Sequence, residues 1–427
     1  MHTKRFMIVC SRHVGAGSPL QTHRLRPDAS LTVTRPIIVT DGEQRAALAV
    51  TRALGRIGEQ VIVCGTSKRS LAGTSRFAAA AIQVADPLAA PDEFTDDILR
   101  VAREHSCELI IPISEASLLT LLPRRGDIPQ TLIPFAAASR FAEICDKALV
   151  LSAATRHGIA VPRQFVAGTP AEASRLSNSL VFPLVIKPAR SVADVGSRRV
   201  KSGVVHVPDA EALELQIRRF PDGVYPLLLQ ERVVGAGVGV FVLLWNGEVR
   251  AAFAHRRIRE KPPSGGVSVL SESIPLDPEL LARSVALLRD FDWQGVAMVE
   301  YKMNEATGIP HLMEVNGRFW GSLQLAIDAG VDFPRILVAA ARGQSTPEVG
   351  AYRIGARLRW EWGDMDNLLM RWRRSRSSLS LPKESPGRLR AIVDWVRELG
   401  PRTRGEVLRI DDPMPFVHES MNWIRAL

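Results

Sequence analysis

Apolar residues along this chain fall into short unbroken runs alternating with stretches spaced by three and four. Ile37-Ile38-Val39-Thr40 is one such run, and Asp41-Gly42 after it is a turn. From residue 45 to 57, Ala47, Leu48, Val50, Ala53, Leu54 and Ile57 recur at helical spacing, and Gly58 closes the segment. Gln60-Val61-Ile62-Val63-Cys64 reads as a second buried strand. Strand, helix and strand in so short a length predict a βαβ unit with parallel strands. Residues 94–105 read as the next helix and 109–112 as the next strand. An open parallel sheet covered by helices is therefore expected. The phosphate fingerprint G-x-G-x-x-G is absent after the first strand, which argues against a dinucleotide site.

The pattern continues with a helix over 145–157 and an extended crossing from Val161-Pro162. A strand over 181–188 carries Lys187 near its end. Residues 191–197 form a polar turn, 200–207 a return strand and 209–219 a helix. The strand 227–231 runs into Val233-Val234-Gly235. Segments 239–246 and 248–255 make a hairpin about Asn246-Gly247, a strong turn dipeptide. A helix lies within 276–291, and two further strands cover 295–303 and 309–316. From Gly343 the character changes. Residues 360–376 are rich in Trp and Arg, 375–386 are linker-like, and 387–427 suggest one or two short helices. Residues 1–35 show no period and are expected to form a weakly ordered arm.

Composition narrows the classes. No apolar run reaches the ~18–20 residues that span a bilayer, and the apolar core after Arg5 is too short for a signal peptide. Cys10, Cys64, Cys107 and Cys145 have no CxxC spacing, which argues against a zinc site or disulfide framework and for a reducing, cytoplasmic setting. The net charge of +10 sits in the end segments: residues 1–36 carry +5, residues 351–427 carry +5, and the middle balances. A nucleic-acid enzyme would more often be basic across its active face, so nucleic acid is not expected as a partner. Met365, Leu368, Leu369 and Trp372 recur at helical spacing among arginines. Such a segment can lie on an anionic membrane or pack on the body of the protein, and packing is the favoured reading.

Candidate chemistry begins at His311-Leu312-Met313-Glu314-Val315-Asn316. Strand alternation points Leu312, Glu314 and Asn316 to one side and Met313 and Val315 to the other. If this strand pairs antiparallel with 295–303 about Thr307, Glu300 lies opposite Glu314 and Met298 opposite Asn316. Like charges at ~4.5–5.5 Å between Cβ atoms are destabilising. A hard cation would remove the repulsion, and oxygen ligands suit Mg²⁺ or Mn²⁺. A frayed hairpin with both carboxylates in water, bridged by Lys302, is the alternative. Lys187 ends an apolar strand beside a glycine-containing turn, and Lys147 opens a helix after Asp146. Either lysine can hold a phosphate, although a lone lysine is usually a solvated surface residue.

Taken in order, these segments resemble the ATP-grasp superfamily, in its carbamoyl-phosphate-synthetase-like and biotin-carboxylase-like branch. The resemblance runs from about Pro36 to Gly343. It is carried by Asp146-Lys147, Pro183-Leu184-Val185-Ile186-Lys187-Pro188, Leu229-Gln230-Glu231-Arg232-Val233-Val234-Gly235, Val299-Glu300 and Met313-Glu314-Val315-Asn316-Gly317-Arg318. It implies an α/β fold that is α+β in the grasp module. A Rossmann-like pre-ATP-grasp domain would cover 36–143. The two-lobed grasp module would cover 144–343, with a small lid lobe about 150–230 and a larger lobe about 231–343. A basic, mostly helical extension would cover 344–427.

The resemblance also implies roles. Lys147 and Lys187 would hold the ATP α- and β-phosphates. The turn holding Ser191, Gly196 and Ser197 would cover them as a mobile loop. Glu231, Arg232 and Val233 would form the hinge against adenine, with the Glu231 and Val233 main chain in contact. Glu300, Glu314 and Asn316 would bind two Mg²⁺ (or Mn²⁺) ions, and Arg318 would stabilise the transferred phosphoryl group. Residues 255–268 would be an acceptor-side loop in which Arg257 and Lys261 neutralise a carboxylate or acyl phosphate; a basic surface loop is the alternative. Two departures stand out. Gly235-Ala236-Gly237 lacks the acid that meets the ribose in relatives, and 191–197 holds a single glycine. The implied activity is ATP-dependent ligation of a small-molecule carboxylate to an amine, or a thiol, through an acyl phosphate. A kinase-like phosphotransferase and a non-catalytic nucleotide-binding adaptor are the alternatives, and a homodimer is compatible with each.

Overall fold

The computed structural model describes residues 35–427 apart from Ser197, Pro347, Glu348 and Lys383. The expected N-terminal arm thus lies outside the described residues, Arg35 excepted. Strands β1 (Ile37–Val39), β2 (Val61–Gly65), β3 (Ala80–Gln83) and β4 (Leu109–Ile111) form a parallel sheet in the order β3-β2-β1-β4. The apolar runs expected as strands are β1, β2 and β4, and all three are buried. The fourth, β3, was not read as a strand: it is a half-buried edge strand whose apolar run is made mostly of alanine, a residue that favours helix and is depleted in strands. The chain moves outward from β1 to β2 and β3, then crosses back to β4. This order places a topological switch point between β1 and β4, where α/β sheets open a ligand crevice at the strands' carboxyl ends.

A second sheet is antiparallel. Strands β5 (Gln164–Ala167), β6 (Leu184–Pro188), β9 (Val205–Val207) and β10 (Leu227–Glu231) stand in the order β5-β10-β6-β9. Leu184, Ile186, Leu213, Ile217, Leu227 and Leu229 give this lobe its own core. Between β6 and β9, β7 (Val192–Val195) and β8 (Arg198–Lys201) pair as a two-stranded ribbon. The expected turn over 191–197 is therefore mostly strand, and the expected return strand over 200–207 is split in two. The burial along Val192-Ala193-Asp194-Val195 follows no strict alternation: Val192 is buried and Asp194, two residues on, is exposed.

The largest sheet has seven strands in the order β15-β14-β11-β12-β13-β16-β17. These are β11 (Gly237–Trp245), β12 (Glu248–Lys261), β13 (Val267–Ser273), β14 (Gly295–Met303), β15 (Pro310–Asn316), β16 (Arg357–Arg359) and β17 (Thr403–Gly405). The expected loop over 255–268 is corrected here. Residues 255–261 continue β12, and only a short connection separates it from β13. Arg256-Arg257-Ile258-Arg259 reads as loop by charge, but each guanidinium on the buried side has a carboxylate partner, so the strand persists.

The C-terminal extension, expected to be mostly helical, supplies β16 and β17 as well as helices Glu361–Arg373, Arg388–Arg397 and Met414–Arg425. The first of these helices does pack on the body, but none of the expected stripe Met365, Leu368, Leu369 and Trp372 is fully buried. Its buried positions are Gly363, Asp364 and Asn367, while Trp372 is 55% exposed. The reason is electrostatic: Asp364 receives Arg259 at 2.6 and 2.7 Å and Arg359 at 2.8 Å. Two sheet arginines require that buried carboxylate. Further along, fully buried Arg52 of helix Arg45–Arg56 reaches Asp412 at 2.8 Å and the carbonyls of Glu406, Val407 and Asp412. No helix of the described residues is long and apolar enough to cross a membrane.

Candidate functional site

The pairing of β14 with β15 sets Met298 opposite Asn316, Val299 opposite Val315 and Glu300 opposite Glu314, as the sequence predicts. Beyond Glu300 the register slips, and Tyr301 faces Leu312. Met313 is the extra residue of a β-bulge, which re-aims side chains. Leu312 is therefore buried in the core, not beside Glu314 as strict alternation requires, and Met313 turns into the cleft. Its Sδ lies 3.8 Å from the Lys187 Nζ.

Both glutamates meet cations of the protein itself. Arg257 chelates Glu300 with 2.7 and 2.6 Å bonds and donates to Glu260 at 3.0 Å. Glu314 lies 3.5 Å from the Lys147 Nζ and accepts from the Asn316 amide at 3.0 Å. Arg318 donates to the side-chain Oδ1 of Asn316 at 2.9 Å. These partners separate the two acids electrically. Burial pushes the Glu314 carboxyl up, but Lys147 and Lys187 outweigh it and hold the group down at about 2. Burial also raises Glu300, and there it wins over Arg257, helped by the neighbouring Glu314. Lys187 is lowered by burial against the pull of both glutamates.

Lys147 is the first residue of helix Lys147–Arg156. Asp146 caps that helix by accepting from the Ala148 and Leu149 N–H groups. The Lys147 N–H bonds the Ala189 carbonyl just beyond β6, and its Nζ donates to the Ser191 hydroxyl at 2.8 Å. One helix start thus joins Lys147, Ser191 and Glu314. Gly196 sits at the tip of the β7–β8 ribbon with φ of 64°, and Ser197 lies outside the described residues. Glu231 ends β10, and its N–H is already bonded to the Arg163 carbonyl. Arg232 gives a guanidinium hydrogen to the Ser380 carbonyl at 2.6 Å. At Gly235, φ is 147° and a Cβ would lie 1.6 Å from the Met303 carbonyl oxygen, so only glycine passes there.

A cavity of about 550 Å³ lies between the antiparallel sheets and is bordered by Lys187, Glu231, Val233, Glu300 and Glu314. A second, of about 490 Å³, shares Lys187, Glu314, Asn316 and Arg318 with it and extends to Asp41, Glu43 and Ser114. Those last residues mark the switch point of the parallel sheet. The site is one cleft with two halves meeting at Glu314 and Arg318.

The two expected acceptor residues, Arg257 and Lys261, both line the half of the cleft that holds Glu231 and Val233. Arg257 belongs to the acid cluster through Glu300. Lys261 is ion-paired with Asp366 and lies 5.3 Å from the Trp360 ring centroid, so the C-terminal extension holds it. The structure adds three residues that pattern reading missed. Arg45 opens its helix, lines both halves of the cleft and pairs with Glu406. Asp41 has φ of 56° and accepts from the Ile113 and Ser114 N–H groups, which ties β1 to the β4 end. Glu115 keeps one sealed carboxylate oxygen without a hydrogen-bond partner among the described residues. The Asp41-Gly42 turn after the first strand was the available signal for the first two; Glu115 had none.

As a ligand set, two carboxylates and an amide on adjacent strands suit an oxygen-seeking divalent ion. Among the described residues no group of three or more His, Cys, Asp or Glu is so arranged. An ion here would complete its shell with other oxygens, those of phosphate or water.

Comparison with known proteins agrees with this geometry. Residues 224–363 match a family model described as "ATP-grasp in the biosynthetic pathway with Ter operon". No curated protein matches the chain. Among solved structures, the biotin carboxylase domain of Hydrogenobacter thermophilus 2-oxoglutarate carboxylase, in complex with MgADP, ADP and bicarbonate, is 16% identical. It aligns over 76% of this chain and 73% of its own with a TM-score of 0.59. An L-amino acid ligase from Bacillus licheniformis is 17% identical over 71% of this chain and 73% of its own, TM-score 0.56. An N5-carboxyaminoimidazole ribonucleotide synthetase in complex with ADP is 15% identical over 76% and 80%, TM-score 0.58. The chain has the ATP-grasp fold, with the N-terminal parallel sheet and multi-stranded sheet of these structures.

Proposed function

We propose that the chain is an ATP-dependent ligase that activates a carboxylate as its acyl phosphate and passes the acyl group to an amine, or less often a thiol. The observation that carries this reading is the continuity of the cleft. A half lined by Lys187, Glu231, Glu300 and Glu314 meets, at Glu314 and Arg318, a second half lined by Lys147, Ser191, Asp41 and Glu43, and the two together are large enough for a nucleotide and a separate small molecule. The ligase and carboxylase structures that share the fold support it.

In this reading the adenine lies against the Glu231–Val233 main chain. The Glu231 N–H is taken by Arg163, so its carbonyl is the group left to meet the base. Lys147 and Lys187 neutralise phosphate oxygens, with Ser191 fixing the Lys147 ammonium. Glu300, Glu314 and Asn316 would hold the Mg²⁺ that accompanies the triphosphate, and when bound it would supply charge neutralisation. Arg257 already holds Glu300 in a bidentate grip and neutralises it.

The chemistry needs no nucleophile from the protein. A substrate carboxylate oxygen attacks the γ-phosphorus, the bond to the β-bridging oxygen breaks, and ADP leaves. The amine nitrogen then attacks the acyl carbon, phosphate departs with the C–O bond pair, and the nitrogen loses a proton. Arg318, fixed by Asn316, stabilises charge on the phosphoryl group in flight. Positioning and preset charge account for the rate. Burial raises the Glu115 carboxyl, and it lines the acceptor half beside these groups. It lies with Asp41 and Glu43 in that half, where a carboxylate can take the proton of an incoming ammonium.

Screening ADP release from Mg-ATP with pooled carboxylates against pooled amines tests the proposal. ADP release that needs one member of each pool, and disappears in Glu314→Gln, is expected. Release with a carboxylate pool alone accompanied by a stable phosphorylated product would point to the kinase-like alternative.

A further inference from the structure

Helix Arg388–Arg397 gains little apolar burial from the protein it lies on. Ala391 is its one fully buried residue. Polar contacts hold its inner side: Arg359 lies over the Trp395 ring at 4.1 Å, and Arg259 reaches the Asp394 carbonyl at 3.4 Å. Leu389, Val393 and Val396, spaced by four and three, form an outer stripe, and Leu399 follows just beyond the helix end. They are 77%, 47%, 52% and 60% exposed. The Arg388 guanidinium donates to the Arg371 and Arg374 carbonyls at 3.3 and 3.4 Å. Those bonds set the start of this helix against the end of helix Glu361–Arg373, where Trp372 is also exposed. A helix this short takes its stability from burying an apolar face. Here Leu389, Val393 and Val396 remain outside.

The charge around the stripe has one sign. Between residues 371 and 399 the sequence holds eight Lys or Arg and three acids. At 3.6 residues per turn, Arg390 and Arg397 flank the stripe on one side and Arg388 flanks it on the other. Arg390 and Arg397 share Asp394, at 3.5 and 3.7 Å, and both stay largely in solvent. Glu398 is taken by Arg357 and Thr403. Arg373 and Arg374 are exposed and have no side-chain partner among the described residues. An apolar stripe edged by arginines matches the surface of an anionic bilayer, where the acyl boundary takes Leu and Val and the headgroup phosphates take guanidinium. A nucleic-acid backbone offers nothing to the stripe, and a second copy of this face would bring like charges together.

We propose that the outer face of helix Arg388–Arg397, with the end of helix Glu361–Arg373, docks on an anionic membrane surface. Leu389, Val393 and Val396 enter the headgroup boundary, and the flanking arginines meet lipid phosphates. The contact is interfacial, since no helix of the described residues is long and apolar enough to cross. The inference stands apart from the ligase reading, because it needs no nucleotide.

Cosedimentation of the full chain with lipid vesicles tests this. Vesicles of phosphatidylcholine alone are compared with vesicles containing about one quarter phosphatidylglycerol, at about 0.1 M salt. Binding is expected to be about tenfold or more tighter on the anionic vesicles and to weaken at about 0.5 M salt. Val393→Asp and the pair Arg373→Glu/Arg374→Glu should each lower it about tenfold. Val417→Asp, at a comparably exposed valine of helix Met414–Arg425, should preserve it. Thermal unfolding shows that each variant keeps its fold, and Val396→Asp replaces Val393→Asp if that variant does not. Equal binding to the two vesicle types, or equal losses at Val393 and Val417, would overturn the proposal. Loss in the arginine pair without loss at Val393 would do the same, since charge alone would then bind, as it would a nucleic acid. Val393→Asp turning a dimer into a monomer in sedimentation, with vesicle binding unchanged, would assign the face to a second copy of the chain and refute the membrane contact.

Discussion

Replacing Arg257 by methionine removes one charge and keeps most of the apolar stem. The arginine makes two bonds to Glu300 at 2.7 and 2.6 Å and one to Glu260 at 3.0 Å, with side-chain exposures of 10% for Arg257 and 14% for each acid. Removing one member of a buried pair leaves an uncompensated charge and costs about 3–5 kcal/mol. Here Glu314 faces the abandoned Glu300 across the strand pair, so the upper part of that range is expected. A divalent ion can occupy the vacated position. Mg²⁺ without nucleotide should therefore stabilise Arg257→Met by at least about 1.4 kcal/mol more than it stabilises the native protein, a tenfold tighter apparent affinity. Urea denaturation at fixed protein concentration, with and without Mg²⁺, measures both effects. The double variant Arg257→Met/Glu300→Gln should recover most of the loss, because the orphaned charge is gone. A single variant within about 1 kcal/mol of native, with no added response to Mg²⁺, would refute the reasoning, since ordinary surface changes cost that little.

Three further outcomes follow from the same geometry. Lys187→Ala should weaken Mg-ATP binding about tenfold or more while costing little stability, because burial already disfavours its charge; calorimetry and thermal unfolding decide. Arg52→Leu should lose about 3–5 kcal/mol by stranding buried Asp412, and limited proteolysis should then open the C-terminal extension first. Burial raises Glu406 to about 7 against the pull of Arg45, and Glu419 to about 7, from the ordinary 4.5. A raised carboxyl contributes stability that is complete below its unfolded value and is lost as pH rises through the folded one, so these groups make stability fall between about pH 4.5 and 7. Glu406→Gln should flatten that slope in urea titrations across the window.

The acid pair was legible because a hairpin turn fixes register, and register fixes which side chains meet. Glu300 and Glu314 face each other as sequence spacing requires. The Met313 bulge was not legible, since an extra residue leaves no mark on an otherwise apolar strand. Lys147 and Lys187 followed from a cap and a strand end. The strand through Arg257 and Lys261 was misread as loop because a basic stretch with Pro and Gly reads as loop; their carboxylate partners are Glu260 and Glu300 in the first case and the distant Asp366 in the second. The same blindness to distant partners hid β16 and β17, each three residues long, and the role of Arg45, whose partner lies in the C-terminal extension.

The central claim is that a substrate carboxylate becomes an acyl phosphate. Oxygen transfer tests it most directly. With a carboxylate and amine pair found by ADP release, the carboxylate is labelled with ¹⁸O and the released inorganic phosphate is examined by mass spectrometry. The account predicts that each phosphate carries one labelled oxygen taken from the carboxylate. Unlabelled phosphate, released while product forms, would show that the carboxylate never attacked phosphorus and would contradict the mechanism.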